Sequence, residues 1–159
     1  KSGISTITVL GLNENCPVKS FCTKLASELN LINPTIHLDK NYTIQSLGKN
    51  SFDKRKEEIL IRWLGEMEEV FKIVVYECDS TLSAWTKRCL RQADCILLLS
   101  DSDENYEISE VEKYLLQNSN ISARKDLVLL HKDSIYPKNT MKWLNLRRGW
   151  CRGCHQIVN

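Results

Sequence analysis

Two spacings of apolar residues take turns along this chain. The run Ile4 to Leu10 is rich in Ile, Thr and Val and predicts a strand. After it Val18, Phe21, Cys22, Leu25, Ala26 and Leu29 recur three and four apart, which lines one face of a helix. Pro17 suits that helix's first position, where an N–H is not needed. Thr35 to Leu38 is a short, half-polar strand expected near an edge. Asp53 is a suitable cap for a long helix with the stripe Ile59, Leu60, Trp63, Leu64, Met67, Val70 and Phe71. Ile73 to Tyr76 is a strongly apolar strand, and Asp79 or Ser80 caps the helix after it, with Leu82, Trp85, Cys89, Leu90 and Ala93 inward. Cys95 to Leu99 and Leu127 to Leu130 are apolar at every position, as strands covered on both faces are. Between them Ile108, Val111, Tyr114 and Leu115 mark a shorter helix. Asn139 or Thr140 starts a last helix through Trp143 and Leu144, and His155 to Val158 forms a final strand.

Strands alternating with helices predict an α/β fold, a three-layer sandwich with a mainly parallel sheet and helices on both faces. No internal repeat breaks the pattern, and the 6 Gly and 3 Pro are too few for long flexible joints, so residues 1–159 are expected to form one domain. In such folds ligands sit at the carboxyl ends of the strands.

Composition narrows the function classes. A net charge of +2 carries no strong pull toward nucleic acid or anionic membrane. Local basic groups, Lys87, Arg88 and Arg91, then Lys142, Arg147, Arg148 and Arg152, are expected to be solvated faces. The 7 cysteines are odd in number, and Cys22, Cys89 and Cys95 fall in apolar patterns, as free thiols do in a reducing compartment. No apolar run approaches the roughly 20 residues of a membrane-spanning helix, and no signal peptide opens the chain. The sequons at Asn41 and Asn120 are therefore taken as chance matches. A chain beginning at Lys1 is expected to be an excised piece of a larger protein.

Four motifs could carry chemistry. The first strand runs into Gly11-Leu12-Asn13-Glu14-Asn15-Cys16-Pro17-Val18, placed like a phosphate-binding G-x-x-x-x-G-K-[ST] loop. Only Gly11 matches. Cys16 stands for the second glycine, Pro17 for the lysine and Val18 for the hydroxyl, while Glu14 adds the wrong charge. Lys19 and Ser20 are two positions too late and are turned away by the helix. In Glu77-Cys78-Asp79-Ser80, Asp79 could hold magnesium in a nucleotidase, but a helix cap is the stronger reading. Cys151-Arg152-Gly153-Cys154-His155 matches the C-x-x-C-H pattern of haem attachment and resembles half a zinc site, yet only His37 and His131 remain as other histidines, with no second paired motif. Gly149-Trp150-Cys151-Arg152-Gly153 echoes a nucleophile elbow in reversed context, and no G-x-S-x-G occurs in the chain.

Three segments in order carry a resemblance: Asp79 to Leu99, with Trp85-Thr86-Lys87-Arg88-Cys89-Leu90-Arg91 at its centre, Asp126 to His131, and Thr140 to Arg147. The start, with Gly11, Pro17-Val18 and Phe21-Cys22, also fits. Together these segments resemble the neuropathy target esterase family of lysophospholipases over nearly the whole chain. The resemblance implies a large parent anchored to the endoplasmic reticulum by an amino-terminal membrane segment. It further implies cyclic-nucleotide-binding-like domains and a patatin-like domain that deacylates phosphatidylcholine and lysophosphatidylcholine to glycerophosphocholine. That domain uses a serine in a G-x-S-x-G elbow and a partner aspartate, and neither motif is present here, so no catalytic residue is carried over.

The chain matches the degenerate P-loop NTPase-like (Rossmann-like) domain that precedes the patatin-like domain. The expectation is a non-catalytic scaffold or regulatory domain on the cytoplasmic face of the endoplasmic reticulum. No cofactor, metal or nucleic acid is expected, and the partners are the adjacent domains of the same chain. Two alternatives stay open: a nucleotide-binding or NTP-hydrolysing domain with an atypical loop, and a membrane or protein docking module using Lys142 to Arg152.

Overall fold

The computed structural model describes residues 3–132 and 140–158. Six strands form one sheet: β1 (Thr6–Gly11), β2 (Thr35–Leu38), β3 (Ile73–Glu77), β4 (Cys95–Asp101), β5 (Arg124–His131) and β6 (Gly153–Val158). Their spatial order is β2-β3-β1-β4-β5-β6. Every pairing is parallel, so the sheet is more uniform than the mainly parallel one expected. Residues paired in this way share a face, and alternate positions divide between two cores. On one face Leu10, Leu38, Val74, Tyr76, Ile96, Leu98, Leu127 and Leu129 pack under helices. On the other, Val9, Val75, Leu99, Val128 and Leu130 meet Cys22 and Ala26.

The helices are α1 (Val18–Asn30), α2 (Lys40–Leu47), α3 (Glu57–Val70), α4 (Ala84–Gln92), α5 (Glu110–Gln117) and α6 (Thr140–Asn145). Helix α1 alone supplies residues to the smaller core. Leu60 and Leu64 of α3, Trp85, Cys89 and Leu90 of α4, Leu115 of α5 and Trp143 of α6 fill the larger one. The three-layer arrangement is thus present but lopsided.

Several local expectations shift. Helix α2 was not read from the sequence; it starts at Asp39, whose carboxylate accepts from the Tyr42 N–H at 2.8 Å. Asp53 precedes a 3-10 turn at Lys54–Lys56 and makes no side-chain cap bond, and α3 begins only at Glu57. In α3 the stripe is narrower than its apolar residues imply. Ile59 is 50% and Val70 71% exposed. A fully buried aliphatic side chain contributes about 1.5–3 kcal/mol relative to exposure, so these two add little to the core. Pro17 stands one place before α1 rather than at its first position. Thr140 is the first residue of α6, and Asn139 lies outside the described residues. The two edge strands are β2, as expected, and β6.

Two members of the expected solvated basic faces are withdrawn from solvent: Arg88, whose side chain is 12% exposed and pairs with Glu57 at 3.2 Å, and, more completely, Arg147. Arg147 is 1% exposed. Its Nε and Nη2 donate to the two Glu112 carboxylate oxygens at 2.7 and 2.8 Å, and Nη1 donates to the Tyr106 and Trp143 carbonyls. Its guanidinium also lies 4.8 Å from the Trp143 ring centre. Glu112 in turn completes a capping box with Ser109 at the start of α5. The pair therefore ties the end of α6 to the first turn of α5, with every donor direction along the fork answered. Sequence spacing could not show this, because the charge that matches Arg147 lies 35 positions away.

Breaking such a pair leaves a charge stranded in the interior, which costs about 3–5 kcal/mol. Arg147→Ala is expected to lose stability on that scale in urea denaturation. Arg148→Ala, at an exposed neighbour, should stay within about 0.5 kcal/mol of the parent.

Candidate functional site at the carboxyl ends of the strands

Parallel strands bring their carboxyl ends to one edge. Here β1 is flanked by β3 and β4, the place where ligands settle in open α/β sheets. A shallow cavity of about 270 Å³ opens there, lined by Gly11, Asn13, Glu14, Cys16, Val18, Lys19, Glu77, Cys78, Asp79 and Ser80. It joins the first and second motifs singled out from the sequence.

The loop from Leu12 to Pro17 is held by bonds within itself and to β4. Leu12 is buried, and its N–H donates to the Leu99 carbonyl of β4 at 3.0 Å. The Cys16 N–H donates to Asn13 O and the Val18 N–H to Cys16 O. Pro17 has no N–H, so the three backbone positions nearest the helix offer no free donor. The Cys16 thiol donates to Leu99 O at 3.2 Å. Burial, reinforced by the negative charge of Asp101, pushes that thiol up to about 12, so it stays protonated at neutral pH and is no nucleophile. The Asn13 amide donates to Ser100 Oγ, and its buried carbonyl oxygen has no partner among the described residues. That leftover group is an acceptor, the wrong polarity for an anion.

Gly11 is required by close approach. A Cβ there would lie 2.7 Å from Val18 Cγ2 and 3.1 Å from Cys16 Cβ. The two side chains that replace the glycine and hydroxyl of a phosphate loop therefore fill the space beside the strand end.

Lys19 does not turn toward the loop. Its ammonium lies 3.0 Å from Asp39 Oδ2 and 3.5 Å from Glu77 Oε1. The hydrogen bond to Asp39 raises the Lys19 pKa, against a smaller opposing effect of burial. Burial pushes the Asp39 carboxyl upward, but the Tyr42 N–H and Lys19 together outweigh it and leave the group below its ordinary value. Glu77 also meets His37 Nε2 at 2.7 Å.

The helix after β3 is capped by neither Asp79 nor Ser80. Ser83 is the cap, accepting from the Thr86 N–H, while the Ser83 hydroxyl donates to Asp79 at 2.5 Å. Asp79 thus holds the cap instead of being it, and Lys40 lies 3.6 Å from its carboxylate. Both carboxylates at the end of β3 already have cationic or hydroxyl partners. The sequence reading missed His37, Asp39 and Cys22 as neighbours of Glu77. The available signal was the polar pair His37 and Asp39 at the end of β2, which parallel pairing must carry to the same edge.

The remaining motifs disperse. Cys151 and Cys154 pack on the larger core. His155 pairs with Asp126 at 2.9 Å, and on β6 adjacent residues point to opposite faces. The three groups of the C-x-x-C-H motif therefore do not converge. In the basic cluster around it Arg147 is buried, while Lys142 stays exposed over the Tyr106 ring, so the cluster presents one charge fewer than its sequence count.

The sequence profile of the Neuropathy Target Esterase family P-loop like domain matches residues 3–159. The patatin-like phospholipase domain-containing protein 7 of Rattus norvegicus is 38% identical over 151 residues, which are 94% of this chain and 11% of that protein. Lysophospholipase NTE1 of Kluyveromyces lactis is 39% identical over 155 residues, 96% of this chain and 11% of that protein. The chain thus spans about a tenth of the length of these curated relatives. Among solved structures, apo McdA from Cyanthece superposes with a TM-score of 0.72 at 10% identity, covering 98% of this chain and 86% of that one. A Borrelia burgdorferi B31 putative plasmid partition protein bound to AMPPNP gives 0.69 at 13% identity, with 96% and 84% covered. At such identities the likeness is one of fold.

Gly11→Ala should destabilise the chain by about 1–3 kcal/mol, the usual cost of overpacking. Val18→Ala in the same chain should restore part of it, a coupling that a denaturation double-mutant cycle measures directly.

Proposed function

The chain belongs to the neuropathy target esterase family, as its P-loop-like domain, and from that premise we propose that it is a non-catalytic scaffold or regulatory domain of a larger lysophospholipase. The parent deacylates phosphatidylcholine and lysophosphatidylcholine through a patatin-like domain outside these residues. It acts at the cytoplasmic face of the endoplasmic reticulum, to which other parts of the parent anchor it. Within the described residues no helix is long and apolar enough to cross a membrane. The neighbours this domain serves are the patatin-like and cyclic-nucleotide-binding-like domains of the same polypeptide.

The observation that carries this reading is the filled loop. Cys16 and Val18 occupy the space beside Gly11, and the Cys16 and Val18 amides donate within the loop. Lys19, the nearest lysine to the helix start, is bound to Asp39 and Glu77. What remains for an anion is the end of α1, which has no side-chain cap. A helix end contributes about 0.3–1 kcal/mol to an exposed charge. Even a weak nucleotide complex at about 100 μM needs roughly −5.5 kcal/mol. The helix end falls short by several kcal/mol, and the groups that normally make up the difference are absent from this loop.

Calorimetric titration of ATP and GTP with magnesium checks the reading. No saturable heat is expected up to millimolar nucleotide. Binding tighter than about 100 μM would replace the scaffold reading with that of a nucleotide-dependent domain.

A further inference from the structure

Beneath the first turns of α1 lies a group of side chains that no motif in the sequence announces. Cys22 descends from α1, His37 is the last residue but one of β2 and Glu77 ends β3. His37 is paired with Val75, and Val75 belongs to the core under α1. Glu77 lies two residues further along the same strand, so all three side chains share that face. One donor atom from each lies within 4.8 Å of the other two. His37 Nε2 and Glu77 Oε1 are 2.7 Å apart. No hydrogen bond engages the Cys22 thiol among the described residues, although Cys22 is fully buried.

We propose that Cys22, His37 and Glu77 form a binding site for a borderline-soft divalent cation of the zinc class, fastening α1 to the ends of β2 and β3. The donor set is one thiolate, one imidazole and one carboxylate. That combination suits zinc, whereas magnesium and calcium take oxygen ligands. Zinc bonds of roughly 2.0–2.3 Å hold tetrahedral donors about 3.3–3.8 Å apart. The present spacing reaches that geometry with side-chain rotation on the order of 1 Å, the imidazole and carboxylate separating and the thiol closing.

The charges also agree. A thiolate and a carboxylate balance the two charges of the ion, and a water completes the four-coordinate shell. The position next to Glu77 already attracts a cation, since Lys19 lies 3.5 Å away on an exposed side chain. Lys19 keeps Asp39 as a partner when it yields Glu77 to the ion. Glu77 also borders the open cavity at the strand ends, which provides the path from solvent. Burial, with the charge of Glu77 added, pushes the Cys22 thiol up, so metal binding must release a proton.

The test uses the reduced, metal-stripped 159-residue chain titrated with cobalt(II), then with zinc. One equivalent of cobalt should produce a thiolate-to-cobalt charge-transfer band in the near ultraviolet, zinc should displace it, and zinc should raise the midpoint of thermal unfolding. Cys22→Ala and His37→Gln, each checked for native far-ultraviolet circular dichroism, should lose the band. Their zinc affinity should fall by more than the roughly 10–100-fold that outer-shell changes cost. Lys19→Met should bind zinc more tightly, because it removes the competing ammonium. Cys151→Ser with Cys154→Ser should leave all of this unchanged. The proposal is overturned if the parent chain takes up no cobalt or zinc. It is equally overturned if the band survives in folded Cys22→Ala and His37→Gln but vanishes in the Cys151 and Cys154 double variant.

Discussion

Parallel pairing of all six strands sends every strand end to the same edge, and the other features depend on that constraint. Each strand must be joined to the next by a crossover that returns along a face of the sheet. The inner strands are thereby covered on both sides, and the loops at one edge are brought together from distant parts of the sequence. At the centre stands β1, whose end at Gly11 meets the first turn of α1 so closely that no side chain fits at that glycine. In a phosphate-binding fold this junction is left hollow and lined with donors. Here Cys16 and Val18 fill it, and backbone bonds inside the loop use the amides beside the helix.

The two faces of the sheet are stabilised differently. The larger core holds Trp85 and Trp143, both fully buried, under helices α3 to α6. Its far end is closed by the Arg147–Glu112 pair, whose side chains are both 0% exposed. The smaller core depends on α1, and the polar group around Glu77 closes its upper end. A charged cluster at the rim of an apolar layer has few ways to be satisfied. Lys19 from α1 and His37 from β2 satisfy Glu77, and Lys19 also meets Asp39 just beyond β2.

Much of the fold was legible because its strongest signals are local. Cys95 to Leu99 and Leu127 to Leu130 are apolar throughout, and they are the inner strands β4 and β5. The alternation of periods placed α1, α3, α4, α5 and α6 near their positions. Helix α2 escaped because its residues carry no apolar stripe; only Asp39, three residues before Tyr42, marked its start. Ile59 and Val70 fit the apolar period of α3, but the packing of that helix does not extend to them. Asp79 and Ser80 looked like caps because cap preference is a property of residue type, whereas the register of α4 is set by Trp85, whose indole N–H bonds the Glu77 carbonyl. The burial of Arg147 leaves no local signal, because its partner Glu112 is remote in sequence. At the candidate site, the degenerate loop could be read residue by residue. The cluster of Cys22, His37 and Glu77 could not, since only sheet order brings it together.

A domain of this family thus keeps the turn, the helix start and the sheet order of a nucleotide-binding fold, while packing occupies the place of the phosphate. Amide hydrogen exchange across residues 11–18, compared with and without magnesium ATP, tests that statement at the loop itself. The account predicts a protected Leu12 amide, held by the Leu99 carbonyl, and rates from Gly11 to Val18 that nucleotide leaves unchanged. Amides of Cys16, Val18 or Lys19 that exchange freely in the apo chain and slow when nucleotide is added would contradict it.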